Sequence, residues 1–159
     1  FKNPNLSVDS KIAYLSSVKS DIKQKNVPEG AIRTIFETLR LALGSQHYSV
    51  LGAGFSTLGH LLKRLAIQDQ EQWIVHHAQA LYPILLDRLN DPKERIRAQA
   101  ASIFTELWPF AGNEVEYHVL EVALVGKNHR AKEMGMLWLA NVGLCTLQGL
   151  SQLLISTCR

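Results

Sequence analysis

The chain has 159 residues, enough for one compact domain and too few for two comfortable ones. Hydrophobic residues make up 47% and charged residues 19%, an ordinary globular balance with apolar surface for a continuous core. A formal net charge of +3 favours acidic partners but falls short of the dense Lys/Arg stripe of a dedicated nucleic-acid binder, so no nucleic-acid partner is expected.

The apolar spacing is helical almost throughout. Ile32, Ile35, Phe36, Leu39 and Leu43 follow a helical stripe, as do Ile96, Ala100, Ile103, Phe104 and Leu107. No sustained alternating stretch and no Asn-Gly or Asp-Gly hairpin interrupts them, so strands are not expected. Punctuation predicts about eight helices, over 8–25, 29–43, 46–66, 70–89, 92–108, 113–125, 129–143 and 146–156. Pro28 reads as a first-turn proline. Asp69 with Gln72, Asp91 with Glu94, and Asn113 with Glu116 have capping-box spacing, and Pro92 fits the first turn behind Asp91. Pro83 is expected to kink the fourth helix.

Self-similarity decides between a bundle and a solenoid. An offset of 46 places Ile96 on Val50, Ala100 on Gly54, Phe104 on Leu58 and Leu107 on Leu61. An offset of 35 places Leu124 on Leu89, Arg130 on Arg95, Lys132 on Arg97, Gly135 on Ala100 and Leu139 on Phe104. Each copy has an outer helix, a short polar turn and a helix with a small residue where it approaches its neighbour. Such units cannot bury an apolar face alone and stack in a row. The expected fold is therefore an all-α, HEAT-repeat α-solenoid, a single domain over 1–159 in which 145–159 is a terminal helix or incomplete repeat. The first helix fits the repeat poorly, and an opening on Phe1 suggests a fragment of a longer protein.

Chemistry has little support. Among His47, His60, His76, His77, His118 and His129 no pair has the spacing of a helical zinc site with a matching Glu. His76 and His77, being adjacent, point about 100° apart on a helix. Gly52 and Gly54 form only a G-x-G inside a helix, better explained by close packing than by phosphate binding. Cys145 lacks a base, and with Cys158 it makes neither a disulfide framework nor a metal site, which favours a reducing, intracellular compartment. No apolar run of about 18 residues argues for a membrane span. No catalytic site, cofactor, metal or membrane partner is expected. Trp108 and Trp138 read as core residues, while Trp73 is undecided.

What remains is a set of turns along one edge of the stack. Gln46, His47 and Tyr48 come from one turn, Lys93, Glu94 and Arg95 from the next, and Lys127, Asn128, His129 and Arg130 from a third. Lys93, Arg95, Lys127 and Arg130 would form a positive ridge for an acidic protein surface. A solvated edge with local i, i+4 pairs, such as Lys93 with acidic neighbours, is the competing reading. Arg97 reads instead as an internal repeat-to-repeat salt bridge.

The turn 90–101 (NDPKERIRAQAA) resembles an intra-repeat turn of a TOG domain. With IRTIFETLRLAL at 32–43, Ser45-Gln46-His47, LLKRLAIQ at 61–68 and LYPILLDRL at 81–89, the chain resembles the N-terminal TOG domain of the CLASP family of microtubule-stabilising proteins. The resemblance covers most of 8–143. It implies a paddle-shaped array whose intra-repeat turns, including the residues named above, face αβ-tubulin or the microtubule lattice. It also implies work in the cytoplasm on the cytoskeleton, at plus ends, spindle and kinetochore, with kinetochore or plus-end proteins as further partners. The family's tubulin binders usually carry a tryptophan in the first intra-repeat turn; here 6–11 reads LSVDSK. An alternative reading follows, a TOG-like module with little tubulin affinity that docks a kinetochore, regulatory or intramolecular partner. A generic HEAT scaffold is a third.

Overall fold

The computed structural model describes residues 1–142. Helix α1 spans Val8–Gln24, α2 Glu29–Leu43, α3 Tyr48–Ile67, α4 Glu71–Leu89 and α5 Glu94–Glu116. A π-helical stretch, Tyr117–Leu124, continues directly from α5, and a further helix, α6, occupies 129–142. No strand is present among the described residues. The expected helix at 146–156 lies outside them.

Two layers form. Helices α1, α3 and α5 lie side by side, while α2, α4 and the π-helical stretch make the second layer. Chain direction reverses at every turn, so 44–47, 90–93 and 125–128 share one edge, and 25–28 and 68–70 share the other. The core runs between the layers through Leu58, Leu61 and Leu65 of α3, Leu81, Leu85 and Leu89 of α4, and Phe104 and Leu107 of α5. Each such burial stabilises by about 1.5–3 kcal/mol before entropy is counted. The two-layer stack of antiparallel helices is the all-α, HEAT-like solenoid the repeats require.

The aligned repeat positions sit as stacking demands. Val50, Ile96, Leu58, Phe104, Leu61 and Leu107 are all buried. Gly54 meets α2 so closely that a Cβ there would stand 3.2 Å from Ala42 Cβ, and one at Gly135 would stand 3.4 Å from Leu124 Cδ1. Gly52 differs: nothing among the described residues lies within 4 Å of its missing Cβ, so close packing explains only Gly54. In the third copy Leu139 is exposed and Trp138 is buried, because α6 buries Met134, Trp138 and Val142 at a spacing of four. Trp108 is half-buried, meets Trp138 edge-on at 6.3 Å and donates Nε1–H to Glu116 Oε1 at 3.1 Å.

Several local expectations are corrected. Asp69 does not cap α4. It takes φ 55°, and Gln70 N donates to Leu65 O while Asp69 N donates to Ala66 O, the paired bonds that close a helix C-terminus through a left-handed residue. Pro28 and Lys93 are the N-cap residues of α2 and α5, so Pro28 and Pro92 precede their helices rather than opening them. Asn113 follows the break in α5 and makes no capping bond among the described residues, while Glu116 serves Trp108. Helix α4 keeps a helical backbone through Pro83. The break falls instead at Ala111, φ −131° and ψ 42°, two residues after Pro109, where the pattern separates its fifth and sixth helices.

Candidate partner-binding edge

The ten edge residues sit on the three turns that share one edge. All are exposed except Asn128, which is half-buried. Gln46 and His47 lie in the α2–α3 turn and Tyr48 opens α3; Lys93, Glu94 and Arg95 open α5; Lys127 to Arg130 lead into α6.

The first two turns are held as one block by Arg88, from the last turn of α4. Its Nε donates to Leu43 O at 2.8 Å and its Nη2 to Ser45 O at 3.0 Å. Its Nη1 donates to Asp91 Oδ2 at 3.0 Å, with the Asp91 side chain only 3% exposed. Asp91 Oδ1 in turn accepts Lys93 N–H at 2.9 Å. One guanidinium therefore satisfies the carbonyls ending α2 and the carboxylate ordering the next turn, a use that its planar fork suits and an ammonium does not. Arg97 closes the same turn, donating from Nη1 to Asp91 O at 2.8 Å and to Pro92 O at 3.0 Å. It is thus a clamp within one turn, and the repeat-to-repeat tie expected of it belongs to Arg88.

Lys93 forms no ion pair among the described residues; its Nζ stands 3.7 Å from the centroid of the Tyr48 ring. This cation–π contact spans the two turns and is worth about 0.5–1 kcal/mol at an exposed site. Behind it a cleft of about 350 Å³ runs between α3 and α5, lined by Tyr48, Gly52, Lys93, Arg95 and Gln99. The open Gly52 leaves room there. In the third turn Asn128 Oδ1 accepts Arg130 N–H at 3.2 Å and Ala131 N–H at 3.3 Å, capping α6. Gly126 is required beside it, since a Cβ would fall 2.7 Å from Val122 O.

Four cations of this edge, Lys93, Arg95, Lys127 and Arg130, face one exposed carboxylate among the ten residues, Glu94. Backbone and carboxylate groups are consumed in building the turns, and the cations are left pointing outward. Outward guanidinium and ammonium groups of this kind have the chemistry to donate charge-assisted hydrogen bonds to carboxylates. Arg88 and the cleft residue Gln99 escaped the sequence reading. The i, i+3 spacing of Arg88 and Asp91 was the available signal for the first, whereas nothing marked Gln99.

Among the described residues no group of three or more His, Cys, Asp or Glu could hold a metal ion. No helix among them is long and apolar enough to cross a membrane.

A family model described as CLASP N terminal matches residues 1–146. The chain is 64% identical over 141 residues to Protein stu1 of Aspergillus fumigatus, covering 89% of this chain and 10% of that protein. It is 58% identical over 141 residues to Protein stu1 of Aspergillus oryzae, covering 89% and 12%. Protein STU1 of Phaeosphaeria nodorum is 36% identical over 142 residues, covering 89% and 12%. The chain thus spans about a tenth of the length of these relatives. No solved structure matches it. A helical two-layer array joined by short turns, matched by the family model over nearly its whole length, leaves one assignment: the chain belongs to the CLASP N-terminal family.

Proposed function

We propose that the chain is a non-catalytic, microtubule-associated module that binds αβ-tubulin or the microtubule lattice through the edge built from 44–48, 90–95 and 127–130. The observation that carries the reading is the edge itself: four outward cations on three aligned turns, two of them locked together by Arg88. A preformed basic ridge loses little entropy on binding and gains most from an acidic partner. Membership of the CLASP family supports αβ-tubulin as that partner, and with it work in the cytoplasm on the cytoskeleton and spindle, with kinetochore or plus-end proteins as further contacts. Family members of this kind act as structural proteins, and no residue here is assigned a catalytic part.

A second reading, a docking module for a kinetochore, regulatory or intramolecular partner with little tubulin affinity, is favoured by one observation. The segment 6–11 that opens α1 on the same edge has no aromatic residue, and the Ser7 hydroxyl there is engaged by Ser10, accepting its N–H as the N-cap of α1 and bonding its hydroxyl.

Co-pelleting with microtubules and size-exclusion chromatography with αβ-tubulin, each at two salt concentrations, separate the readings. Binding that weakens with salt, and that falls by about 1–3 kcal/mol in Lys93→Glu/Arg95→Glu, is expected from charge-assisted contacts. Equal binding by the reversed variant would remove these residues from the interface. A folded chain that binds neither form leaves the docking module.

A further inference from the structure

The turn edge has depth behind its charge. Tyr48 and Gly52 stand one turn apart on α3, and Arg95 and Gln99 one turn apart on α5, so each pair shares a helix face. These faces line the cleft of about 350 Å³ between the two helices, together with Lys93 and the buried Ile96. Its room comes from Gly52. Nothing among the described residues approaches within 4 Å of the missing Cβ, and φ is not positive there, so neither packing nor backbone calls for glycine. An ordinary side chain would favour the helix and fill the space.

The charge in the cleft is of one sign. Lys93 and Arg95 are exposed cations, and the lining contains no carboxylate. Helix α3 carries no Asp or Glu, Glu94 lies outside the lining, and the next carboxylate on α5 is Glu106, about 10 Å beyond Gln99 along the axis. Both helices begin at this edge, so the positive ends of their dipoles add to the cations. One turn further in than Arg95, Gln99 Oε1 is buried without a hydrogen-bond partner among the described residues. A half-turn of that amide puts Nε2–H in the same place, where it donates to an anion.

We propose that the α3–α5 cleft receives a carboxylate side chain of the partner that meets the edge, its stem against Gly52 and Ile96 and its oxygens between Arg95 and the Gln99 amide, with Lys93 beside them. This rests on the reading of the edge as the partner-binding surface. A guanidinium and an amide one turn apart suit the two oxygens of one carboxylate. The ridge alone would steer an acidic partner, whereas an inserted side chain also fixes where it lands.

The test is microtubule co-pelleting of the 159-residue chain at low salt, with two variants that leave every charge in place. Gly52→Leu fills the cleft, and Gln99→Leu removes an amide whose oxygen has no partner among the described residues. Each should weaken binding at least about tenfold, the loss of one charge-assisted contact. The melting temperature of Gly52→Leu should hold or rise, because leucine is the better helix former. If it falls instead, Gln99→Leu decides alone. Equal binding by either folded variant overturns the proposal; with Lys93→Glu/Arg95→Glu still weakened, the edge then stands as a ridge without a pocket. Gln99→Glu supplies the sign: it should weaken binding, and tighter binding would mean a cationic occupant and overturn the proposal. A parent chain that binds no microtubules removes the reading of the edge, and the cleft falls with it.

Discussion

Glu106 is a carboxylate in an unfavourable place. It sits on α5 facing α3, one oxygen is buried without a hydrogen-bond partner among the described residues, and burial pushes its pKa above the ordinary 4.5 despite the nearby Lys63. A carboxyl whose folded pKa is raised binds its proton more tightly in the native state. Its burial therefore costs stability that grows as pH rises from about 4.5 through the folded value. Glu106→Gln should raise the melting temperature at pH 7 and have a smaller effect near pH 4, as thermal unfolding across that range would measure. An equal shift at both values would assign the effect to packing. Neither this site nor Asp69 was legible in the sequence. An i, i+3 acid–amide pair fits a capping box as well as a helix end, and only the bonds of Gln70 and Asp69 back into α3 decide. Gly54 was legible, because a small residue recurring at the repeat offset has a steric cause, the approach of Ala42 Cβ.

At the scale of elements, the helix periods were readable and their joints were not. Amphipathic spacing in α2 and α5 reflects burial directly, since Ile32, Phe36, Leu39 and Leu43, and Ile96, Ala100, Ile103, Phe104 and Leu107, are all buried. The joints depend on contacts made at long range. Pro83 leaves α4 helical while Pro109 is followed by a break, and Arg88 joins turns more than 40 residues apart in sequence, a tie no local pattern reveals. Removing that guanidinium strips Asp91 of its partner and frees two carbonyls together. Arg88→Ala should therefore destabilise by about 3 kcal/mol, in the range for an ion left buried without its partner. Arg88→Lys should recover only part, because an ammonium cannot span three acceptors in a plane. Denaturant unfolding of both variants checks this. If the lysine variant matches the parent, charge alone holds the turns and the fork is dispensable.

For the whole molecule, stacking converts separate turns into a row, so residues from positions 46, 93 and 130 come to one edge although no segment of sequence joins them. The repeat offset made that edge readable; how its parts act together follows from spacing and screening. The block of the first two turns is tied by Arg88 and by Lys93 over Tyr48, whereas the third turn is built on Asn128 and Gly126, with no bond to the others among those described. Charges on turns that share no bond, screened over about 8 Å at physiological salt, should contribute separately. Reversing Lys127 and Arg130 to Glu is therefore expected to weaken microtubule binding by an amount that adds, within about 0.5 kcal/mol, to the loss from reversing Lys93 and Arg95. Combining the first block's charges should behave differently: Tyr48→Ala with Lys93→Ala should lose less than the sum of the two, because the ring and the ammonium already share one contact. Co-pelleting titrations of the single and combined variants measure both quantities. Additivity between blocks with coupling inside the first would mean that partners meet the edge as two separate footholds. Strong coupling between blocks would mean that the array bends or sets as one body on its partner, and the rigid-row picture of the edge would fail.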